Sequence, residues 1–254
     1  MRPDVSVVIL VRSGHRFIRD AVNSALSQTG VNLEVLIIDD CSDEKTVDMI
    51  KQITKTDDRL IYIRTPSVEG PSGARNIGVN AANGDWVAFL DANDKWHNEK
   101  LLRQFDLIKR YELSGKYPPL CYTGVYVLKG DGRYTGRILK APLRVTAREL
   151  LQGNVIIASS VMVRRNYLLE NPFESCDVHG DYVEWFRILN KYGPGVGISR
   201  PLVRYRLADK IKPRNKIKSA RMAWRTYKFL GLTTLQALVS FAYYIKFGLQ
   251  RYVL

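Results

Sequence analysis

Two groups of oxygen-bearing side chains each come directly after a short apolar run of the sequence. They are Asp39 with Asp40, and Asp91 with Asn93 and Asp94. Carboxylates are costly in a core, but they suit a site for a divalent cation or for sugar hydroxyls, since both are bound by oxygen atoms. The pattern therefore predicts a polar ligand site. The alternative is that Asp39, Asp40 and Ser42 only cap the helix that follows them.

The apolar runs predict the strands of an open, mostly parallel α/β sheet. Four of them are short and rich in apolar or β-branched residues, and apolar residues at helical spacing separate them. These runs are Val5 to Val11, Glu34 to Ile38, Leu60 to Ile63 and Trp86 to Leu90. Strands that alternate with helices form parallel sheets, whose ligands bind outside the carboxyl ends of the strands. Both acidic groups are therefore expected at that edge.

The second half of the sequence has a different pattern. Two runs, Tyr122 to Leu128 and Tyr134 to Leu139, flank a charged, Gly-containing pentapeptide and predict a β-hairpin. Further along, the pattern predicts a strand at Ser160 to Val163, a helix at Tyr182 to Leu189 and a strand at Val203 to Arg206. We expect this half to build the acceptor side of a cleft.

The composition is that of an ordinary globular protein. The chain has 254 residues, of which 46% are hydrophobic and 25% charged, and this excludes disordered, collagen-like and cysteine-stapled chains. Cys41, Cys121 and Cys176 are in no metal-ligand spacing, and with only three histidines a zinc site is not expected. The seven-residue apolar run near the N-terminus is too short for a signal peptide. We therefore expect a protein of the reducing cytoplasm.

The net charge of +14 is concentrated near the C-terminus. Thirteen of the 39 Lys and Arg residues, but only one of the 25 acids, lie between Arg200 and Leu254. From Lys212 onward the spacing is helical, and the basic residues share one face of the helix. They are Arg214, Lys218, Arg221, Arg225 and Lys228, with Ile217, Ala220, Trp224 and Tyr227 at the same spacing one residue earlier.

An uncharged segment, Phe229 to Ile245, follows this basic face. Its length is at the lower limit for a membrane span and it contains polar residues, which favours a helix lying in the interface of an anionic membrane, with Trp224 and Tyr227 beside it. The alternatives are a helix packed on the protein or on a partner, and a true span. We expect no nucleic-acid partner, because an apolar helix follows the basic face and no recognised nucleic-acid motif accompanies it.

Six segments, taken in order, resemble family 2 glycosyltransferases, which are inverting enzymes with the GT-A fold. They are Val5–Ile9, Ser24–Thr29, Glu34–Ser42, Gly73–Gly78, Gly84–Trp96 and Gly180–Arg187. The resemblance implies a glycosyltransferase domain over residues 1–206, with a nucleotide-sugar-binding half at 1–113 and an acceptor-binding half at 114–206. Residues 207–254 would then form a basic, amphipathic helical extension that associates with the membrane.

The resemblance also implies roles on the donor side. Asp40, with Asp39 beside it, would bind the uracil ring, and Arg75 would face the nucleotide. Arg12 stands near the position where the family places an aromatic residue that stacks on the base, and a guanidinium plane can stack as well. The alternatives are that Asp40 caps a helix and that Arg75 pairs with an acid across its own helix.

The segment Phe89 to Asp94 resembles the Asp-x-Asp metal motif of the family. Its first acid, Asp91, would face the ribose, and its third position, Asn93, would ligate Mg²⁺ or Mn²⁺. The loss of one negative charge at Asn93 should weaken metal binding, unless Asp94 turns inward to replace it. The alternative for Asp94 is a helix cap.

Asp181 falls where the family has its catalytic base, although Gly180 replaces the usual preceding acid. One carboxylate that deprotonates an acceptor hydroxyl in a single in-line displacement gives inversion. The alternative is that Asp181 caps the helix that follows it. Asn154, Ser159, Ser160 and Arg164 resemble a stretch near the acceptor pocket, but a polar strand end explains them equally well.

The activity implied by the resemblance is transfer of a hexose or N-acetylhexosamine from a UDP-linked donor to a lipid-linked or polysaccharide acceptor. Bacterial enzymes of this type build capsule, O-antigen or exopolysaccharide, and a peripheral position on the cytoplasmic side of the inner membrane would follow. The alternative is a catalytically degenerate nucleotide-sugar-binding protein, since Asn93 replaces an acid and no His stands two residues after Arg206. A sugar-nucleotide pyrophosphorylase is disfavoured, because no Gly-rich phosphate loop follows the first strand.

Overall fold

Apolar strands form the centre of the fold. The computed structural model describes residues 2–174, 178–207 and 213–252, and the strands of this part form one ten-stranded sheet. The strands are β1 Val5–Val11, β2 Leu33–Asp39, β3 Leu60–Arg64, β4 Trp86–Asp91, β5 Lys95–Trp96, β6 Leu120–Leu128, β7 Tyr134–Leu139, β8 Arg144–Val145, β9 Met162–Arg164 and β10 Gly195–Arg206.

Helices connect and cover these strands. They are α1 Ile18–Leu26, α2 Glu44–Ile53, α3 Gly70–Ala81, α4 Lys100–Leu113, α5 Ala147–Leu150, α6 Arg165–Glu170, α7 Gly180–Tyr192, α8 Pro213–Phe229 and α9 Thr234–Tyr252, with a 3₁₀ turn at Ala158–Ser160. The sequence pattern did not predict α4. The buried face of α4 contains the polar Lys100 and Gln104, which interrupt the apolar period.

The strand order is β3-β2-β1-β4-β9-β6-β10-β5, with β7 beside β6 and β8 beside β10. The first four strands in this order are parallel, and so are β6 and β10. The short strand β9 runs antiparallel between β4 and β6 and joins the two halves of the sheet. The α/β sheet and the β6–β7 hairpin that the sequence predicts are therefore confirmed.

Side chains of alternate residues in β1 face two separate cores. Val7 and Ile9 pack with α1, α2 and α4 on one face of the sheet. Val8 packs with α3, α7 and α8 on the other face. Because both faces are covered, the strand is apolar throughout, which is why its sequence shows no alternation of apolar and polar residues.

The carboxyl ends of three neighbouring strands bring the two acidic groups together. In the sheet register, Val11 of β1 lies opposite Asp39 of β2, and Leu10 of β1 lies opposite Asp91 of β4. Asp39 and Asp91 therefore flank the end of the same strand. This edge of the sheet is where a parallel α/β fold binds its ligands.

The C-terminal extension is helical, as predicted, but it is a hairpin of two helices. Gly231, with φ +75°, lies between α8 and α9, and a left-handed backbone there ends the first helix. Thr233 and Gln236 then cap α9 by reciprocal hydrogen bonds between side chain and backbone. The expectation of one continuous uncharged helix over Phe229 to Ile245 is therefore wrong, since α8 ends at Phe229 and α9 begins at Thr234.

The aromatic stripe of α8 packs against the protein. Tyr227, which we expected in a membrane interface, is only 5% exposed. Its ring meets that of Tyr182 at 6.2 Å, and the ring of Trp224 meets Phe241 of α9 at 5.9 Å. Among the described residues, no helix is both long and apolar enough to cross a bilayer.

Several residues of the sequence predictions lie outside the described part of the chain. They are Cys176, Asp209 and Lys212, together with the side chains of Arg214, Ile217 and Lys218. Cys41 and Cys121 are described, and both are free thiols.

Gly78 lets α3 approach the sheet closely. A Cβ atom at this position would lie 2.5 Å from Cγ1 of Val8 and 3.3 Å from Cγ1 of Ile38. Both neighbours are β-branched residues of buried strands, so they have little room to move. The close approach also holds Arg75, one turn earlier on α3, near the end of β4.

We expect Gly78→Ala to lower the free energy of unfolding by about 1–3 kcal/mol, the usual cost of overpacking a core. Urea denaturation measures this difference. Asn80→Ala, on the exposed face of the same helix, is the control and should change the free energy of unfolding by less than about 0.5 kcal/mol. Equal effects of the two changes would show that α3 does not depend on this contact.

Candidate active site

Asp39 stabilises the turn that follows β2. Its buried carboxylate accepts hydrogen bonds from the N–H of Ser42 and the hydroxyl of Tyr62, both at 2.8 Å. A guanidinium nitrogen of Arg64 lies 3.6 Å away. The next helix, α2, is capped by Asp43, whose carboxylate accepts the N–H of Thr46. The alternative in which Asp39, Asp40 and Ser42 cap that helix is therefore wrong.

Asp40 connects the same turn to the start of α3. Its two carboxylate oxygens accept the N–H groups of Glu69 at 2.7 Å and of Gly70 at 3.1 Å. Each carboxylate oxygen has two lone pairs, so Asp40 keeps acceptor capacity for a ligand. Asp40 thus does help to start a helix, but the helix is α3, which carries Arg75.

Arg12 lies beside this turn, in the loop after β1. The loop is tied to the turn because the Oγ of Ser42 accepts the N–H of Ser13 at 3.1 Å. The Arg12 side chain is exposed and makes no hydrogen bond or ion pair with any residue that the structure describes. Its guanidinium group is therefore available to a ligand.

Arg75 pairs with Asp91 across the edge of the sheet. One of its guanidinium nitrogens lies 3.6 Å from the Asp91 carboxylate, and the guanidinium group lies 5.7 Å from the ring centre of Phe173. Its Nε is buried and has no hydrogen-bond partner among the residues that the structure describes. Buried donors are almost always paired, so this N–H marks a place where a ligand oxygen would be bound.

The structure also brings Asp181 close to Asp91, although 90 positions of sequence separate them. Loss of contact with water raises the pKa of Asp91, the positive charge of Arg75 lowers it, and the negative charge of Asp181 raises it. The side chain of Asp91 is still about a third exposed (37%). Charged residues of α3, β4 and α7 therefore interact at this edge of the sheet.

Asp181 lies in the first turn of α7. Its carboxylate accepts the N–H of Tyr182 at 2.8 Å, and the residue that caps the helix is His179, which makes no capping bond through its side chain. Gly180 lies against Ser72 of α3 and the carbonyl of Glu174. A Cβ atom at position 180 would lie 2.8 Å from that carbonyl, so a side chain there would require the backbone to shift.

Asp94 ties three segments together. Its carboxylate accepts the hydroxyl of Ser159 at 2.6 Å and the N–H of Arg206 at 2.8 Å. Burial and the charge of Asp91 raise the pKa of Asp94 to about 8, while the bonds from Ser159 and Arg206 act in the opposite direction. Asp94 caps no helix. Its carboxylate points inward and holds the end of β10 and the 3₁₀ turn through these two hydrogen bonds.

Ser159 was the functional residue that sequence analysis left without a role. Its Oγ accepts the N–H of Asp91 at 3.1 Å and donates to Asp94, so one hydroxyl holds both ends of the turn between them. Arg206 closes the same turn by donating from Nε to the carbonyl of Asn93 at 3.1 Å. The sequence offered two signals for Ser159, the resemblance to a stretch near the acceptor pocket and its place as a polar residue at the end of an apolar run.

The side chains of Asp91 and Asn93 fit a divalent cation. The Asn93 amide makes no hydrogen bond with any described residue, and the Asp91 carboxylate is partly exposed. In the described part of the chain no three acids, histidines or cysteines cluster as a complete metal site. Mg²⁺ is commonly held by one or two protein oxygens together with substrate phosphates, and this pair matches that type of site.

Comparison of the sequence with known proteins points to one family. Residues 6–167 match the model of Glycosyl transferase family 2. The chain is 29% identical to TuaG of Bacillus subtilis, a glycosyltransferase named for teichuronic acid biosynthesis, over 89% of this chain and 88% of that protein. It is also 29% identical to WfaP of Escherichia coli, a UDP-Glc:alpha-D-GlcNAc-diphosphoundecaprenol beta-1,3-glucosyltransferase, over 96% of this chain and 94% of that protein.

Two solved structures share the fold. S. aureus TarS 1–349 in complex with UDP superposes with a TM-score of 0.69 at 16% identity, over 97% of this chain and 72% of that one. The mannosyltransferase PcManGT from Pyrobaculum calidifontis, in complex with GDP-Man and Mn²⁺, gives a TM-score of 0.65 at 16% identity, over 95% and 70%. Both have the GT-A fold, so the fold expected from the sequence is confirmed.

The contact between Ser159 and Asp94 can be measured by a double-mutant cycle. We expect Ser159→Ala and Asp94→Ala to show a coupling energy of about 1–3 kcal/mol in the free energy of unfolding, because the bond is buried and joins a hydroxyl to a carboxyl group. Urea denaturation of the four proteins at pH 7 gives this value.

The control for this cycle replaces the neighbouring serine. The hydroxyl of Ser160 is also buried, but it donates to the carbonyl of Ile157 and does not touch the turn. Ser160→Ala should therefore couple to Asp94→Ala by less than about 0.5 kcal/mol. A coupling energy for Ser159 as small as that for Ser160 would contradict its role in holding the turn.

Proposed function

The chain belongs to glycosyl transferase family 2, and from that membership we propose that it transfers a sugar, with inversion, from a UDP-linked donor to a lipid-linked acceptor. Relatives named for teichuronic acid biosynthesis and for transfer to GlcNAc-diphosphoundecaprenol support a role in cell-surface glycan assembly. The observation that carries the proposal is the interaction of Asp91 with the charges of both Arg75 and Asp181. A leaving diphosphate needs cationic groups, and an acceptor hydroxyl needs a base.

The donor would bind along the ends of β1, β2 and β4. Asp40 has lone pairs left to accept the imide N–H of uracil, and the free guanidinium group of Arg12 can stack on the base. The unpartnered Nε of Arg75 would donate to a phosphate oxygen, which is a strong, charge-assisted bond. In this proposal Asp39 supports Asp40 by holding its turn and does not touch the donor.

Asp91 and Asn93 would hold Mg²⁺ or Mn²⁺, which supplies positive charge to the departing diphosphate when bound. The complex of PcManGT with GDP-Man and Mn²⁺ supports this type of cofactor for the fold. Asp94 keeps the turn in place, because its two oxygens accept hydrogen bonds from Ser159 and from the N–H of Arg206.

Asp181 would act as the general base. Its carboxylate accepts the proton of the acceptor hydroxyl while the acceptor oxygen attacks the anomeric carbon from the side opposite the diphosphate. The bond to the diphosphate breaks as the new glycosidic bond forms, so the configuration is inverted.

The outer face of α9 would attach the enzyme to the membrane that carries a lipid-linked acceptor. Four of its large apolar side chains are exposed by about half or more: Leu235 at 73%, Leu238 at 53%, Val239 at 50% and Ile245 at 49%. Arg221 and Lys228 of α8 are exposed as well, and each basic residue near an anionic bilayer contributes about 1 kcal/mol. This arrangement favours peripheral binding to the cytoplasmic side of the inner membrane.

We expect Asp181→Asn to keep donor binding and lose transfer. A UDP-sugar with Mn²⁺ should raise the Tm of both the parent and the variant, since a ligand at about 100 times its Kd adds about 2.7 kcal/mol to the free energy of unfolding. Transfer from UDP-glucose to a GlcNAc-diphospholipid, measured as UDP release, should fall by about 10²–10⁴-fold in the variant.

Each outcome of this experiment separates two interpretations. GDP- and dTDP-sugars test the nucleotide, and EDTA in place of Mn²⁺ tests the metal. Transfer by Asp181→Asn at the parent rate would show that this residue is not the base. A donor-dependent Tm shift in a parent protein that transfers no sugar from any donor of the panel would favour the degenerate binding protein.

Membrane attachment through α9 is tested by sedimentation with vesicles that contain phosphatidylglycerol. The double change Leu235→Ser and Leu238→Ser should weaken binding about tenfold or more, because it removes apolar area from the contact. Leu113→Ser is the control, since Leu113 is 80% exposed at the end of α4 and lies on a different element. If both proteins sediment like the parent, α9 does not bind the membrane.

A further inference from the structure

A hydroxyl group of α8 accepts a hydrogen bond from the backbone at the start of α7. The Oγ1 of Thr226 accepts the N–H of His179 at 3.0 Å and donates to the carbonyl of Met222 at 2.8 Å. Thr226 is 1% exposed, so water does not compete for this bond. The first N–H groups of a helix have no partner within the helix, and His179 has no capping bond of its own. The C-terminal hairpin supplies the missing acceptor.

Two further contacts join α8 to α7. In the first turn of α7, the ring of Tyr182 meets that of Tyr227 at an angle of 78°. Near the middle of α7, the guanidinium group of Arg187 lies 5.3 Å from the ring centre of Phe229. Together with the Thr226 hydroxyl, these contacts hold α7 at its start and near its middle.

The start of α7 is also packed from the other side. Gly180 lies against Ser72 of α3, with no room for a side chain. The first turn of α7 is therefore held between α3, which carries Arg75, and α8. A displacement of α8 would move Asp181 relative to Asp91.

We propose that α8 is part of the catalytic unit and that Thr226 is a positioning residue, which sets Asp181 in place through the N–H of His179. The proposal rests on the proposed function, in which Asp181 is the base. It goes beyond that function because it assigns a role in the reaction to a segment whose composition indicates only attachment to a surface. Thr226 touches neither donor nor acceptor and acts through α7 alone.

The test uses Thr226→Val in the full chain, which keeps the shape of the side chain and removes the hydroxyl. Hydrogen exchange of the His179 amide should accelerate about tenfold, because a buried N–H loses its partner. With the donor that raises Tm, kcat should fall about tenfold while KM for the donor is unchanged, since the donor groups lie on the loops of β1, β2 and β4. Thr226→Ser, which keeps a hydroxyl, should restore both values.

Thr233→Val is the matched control. It makes the same change in the same hairpin, but Thr233 caps α9 and makes no described contact with α7. In this variant, hydrogen exchange of the His179 amide and transfer of sugar should both proceed at the parent rates. A loss of activity equal to that of Thr226→Val would show that the stability of the hairpin, and not this hydroxyl, is what matters, and would overturn the proposal.

Failure of the proposal can be told apart from failure of the proposed function. If Thr226→Val transfers sugar at the parent rate while Asp181→Asn is inactive, Thr226 does not position the base and the assignment of Asp181 remains. If Asp181→Asn transfers sugar at the parent rate, the assignment of the base is wrong, and the role of Thr226 in catalysis is wrong with it.

Discussion

The ion pair between Arg75 and Asp91, at the carboxyl edge of the sheet, is the interaction on which the site depends. One guanidinium nitrogen of Arg75 lies 3.6 Å from the Asp91 carboxylate. Burial raises the pKa of Asp91, the charge of Arg75 lowers it, and the smaller effect of Asp181 raises it. The Nε of Arg75 has no hydrogen-bond partner among the described residues. In our proposal a metal ion at Asp91 and a diphosphate oxygen at Arg75 complete these interactions.

The remaining acids near the cleft hold backbone in place. Asp39 binds the N–H of Ser42, Asp40 binds the start of α3, and Asp94 binds the N–H of Arg206. Asp40 and Asp94 accept hydrogen bonds from segments distant in the chain, whereas Asp39 accepts one from its own turn and one from Tyr62 of β3. In our proposal Asp91 and Asp181 can meet substrates because these other carboxylates keep their loops from moving.

The C-terminal hairpin belongs to the body of the protein. Its inner residues, including Ala223, Tyr227 and Ala237, are buried with α3 and α7 in one of the two cores. Its outer residues on α9 are apolar and exposed. The same two helices therefore face α3 and α7 on one side and solvent on the other. In our proposals the outer side binds the membrane and the inner side holds Asp181 in place.

The sequence alone determines the first four strands, their parallel pairing and the polar groups at their ends, because β-branched runs and the residues that follow them are local features. The resemblance adds Asp181, which no local pattern connects to Asp91. Only the tertiary structure decides which carboxylate oxygens accept hydrogen bonds from other segments, as in Asp94, and which buried N–H groups have no partner among the described residues, as in Arg75. It also decides which face of α8 is buried, since an amphipathic period describes a face but not its partner. Ser159 and Thr226 are found only in three dimensions, because each acts on a residue that is distant in the chain.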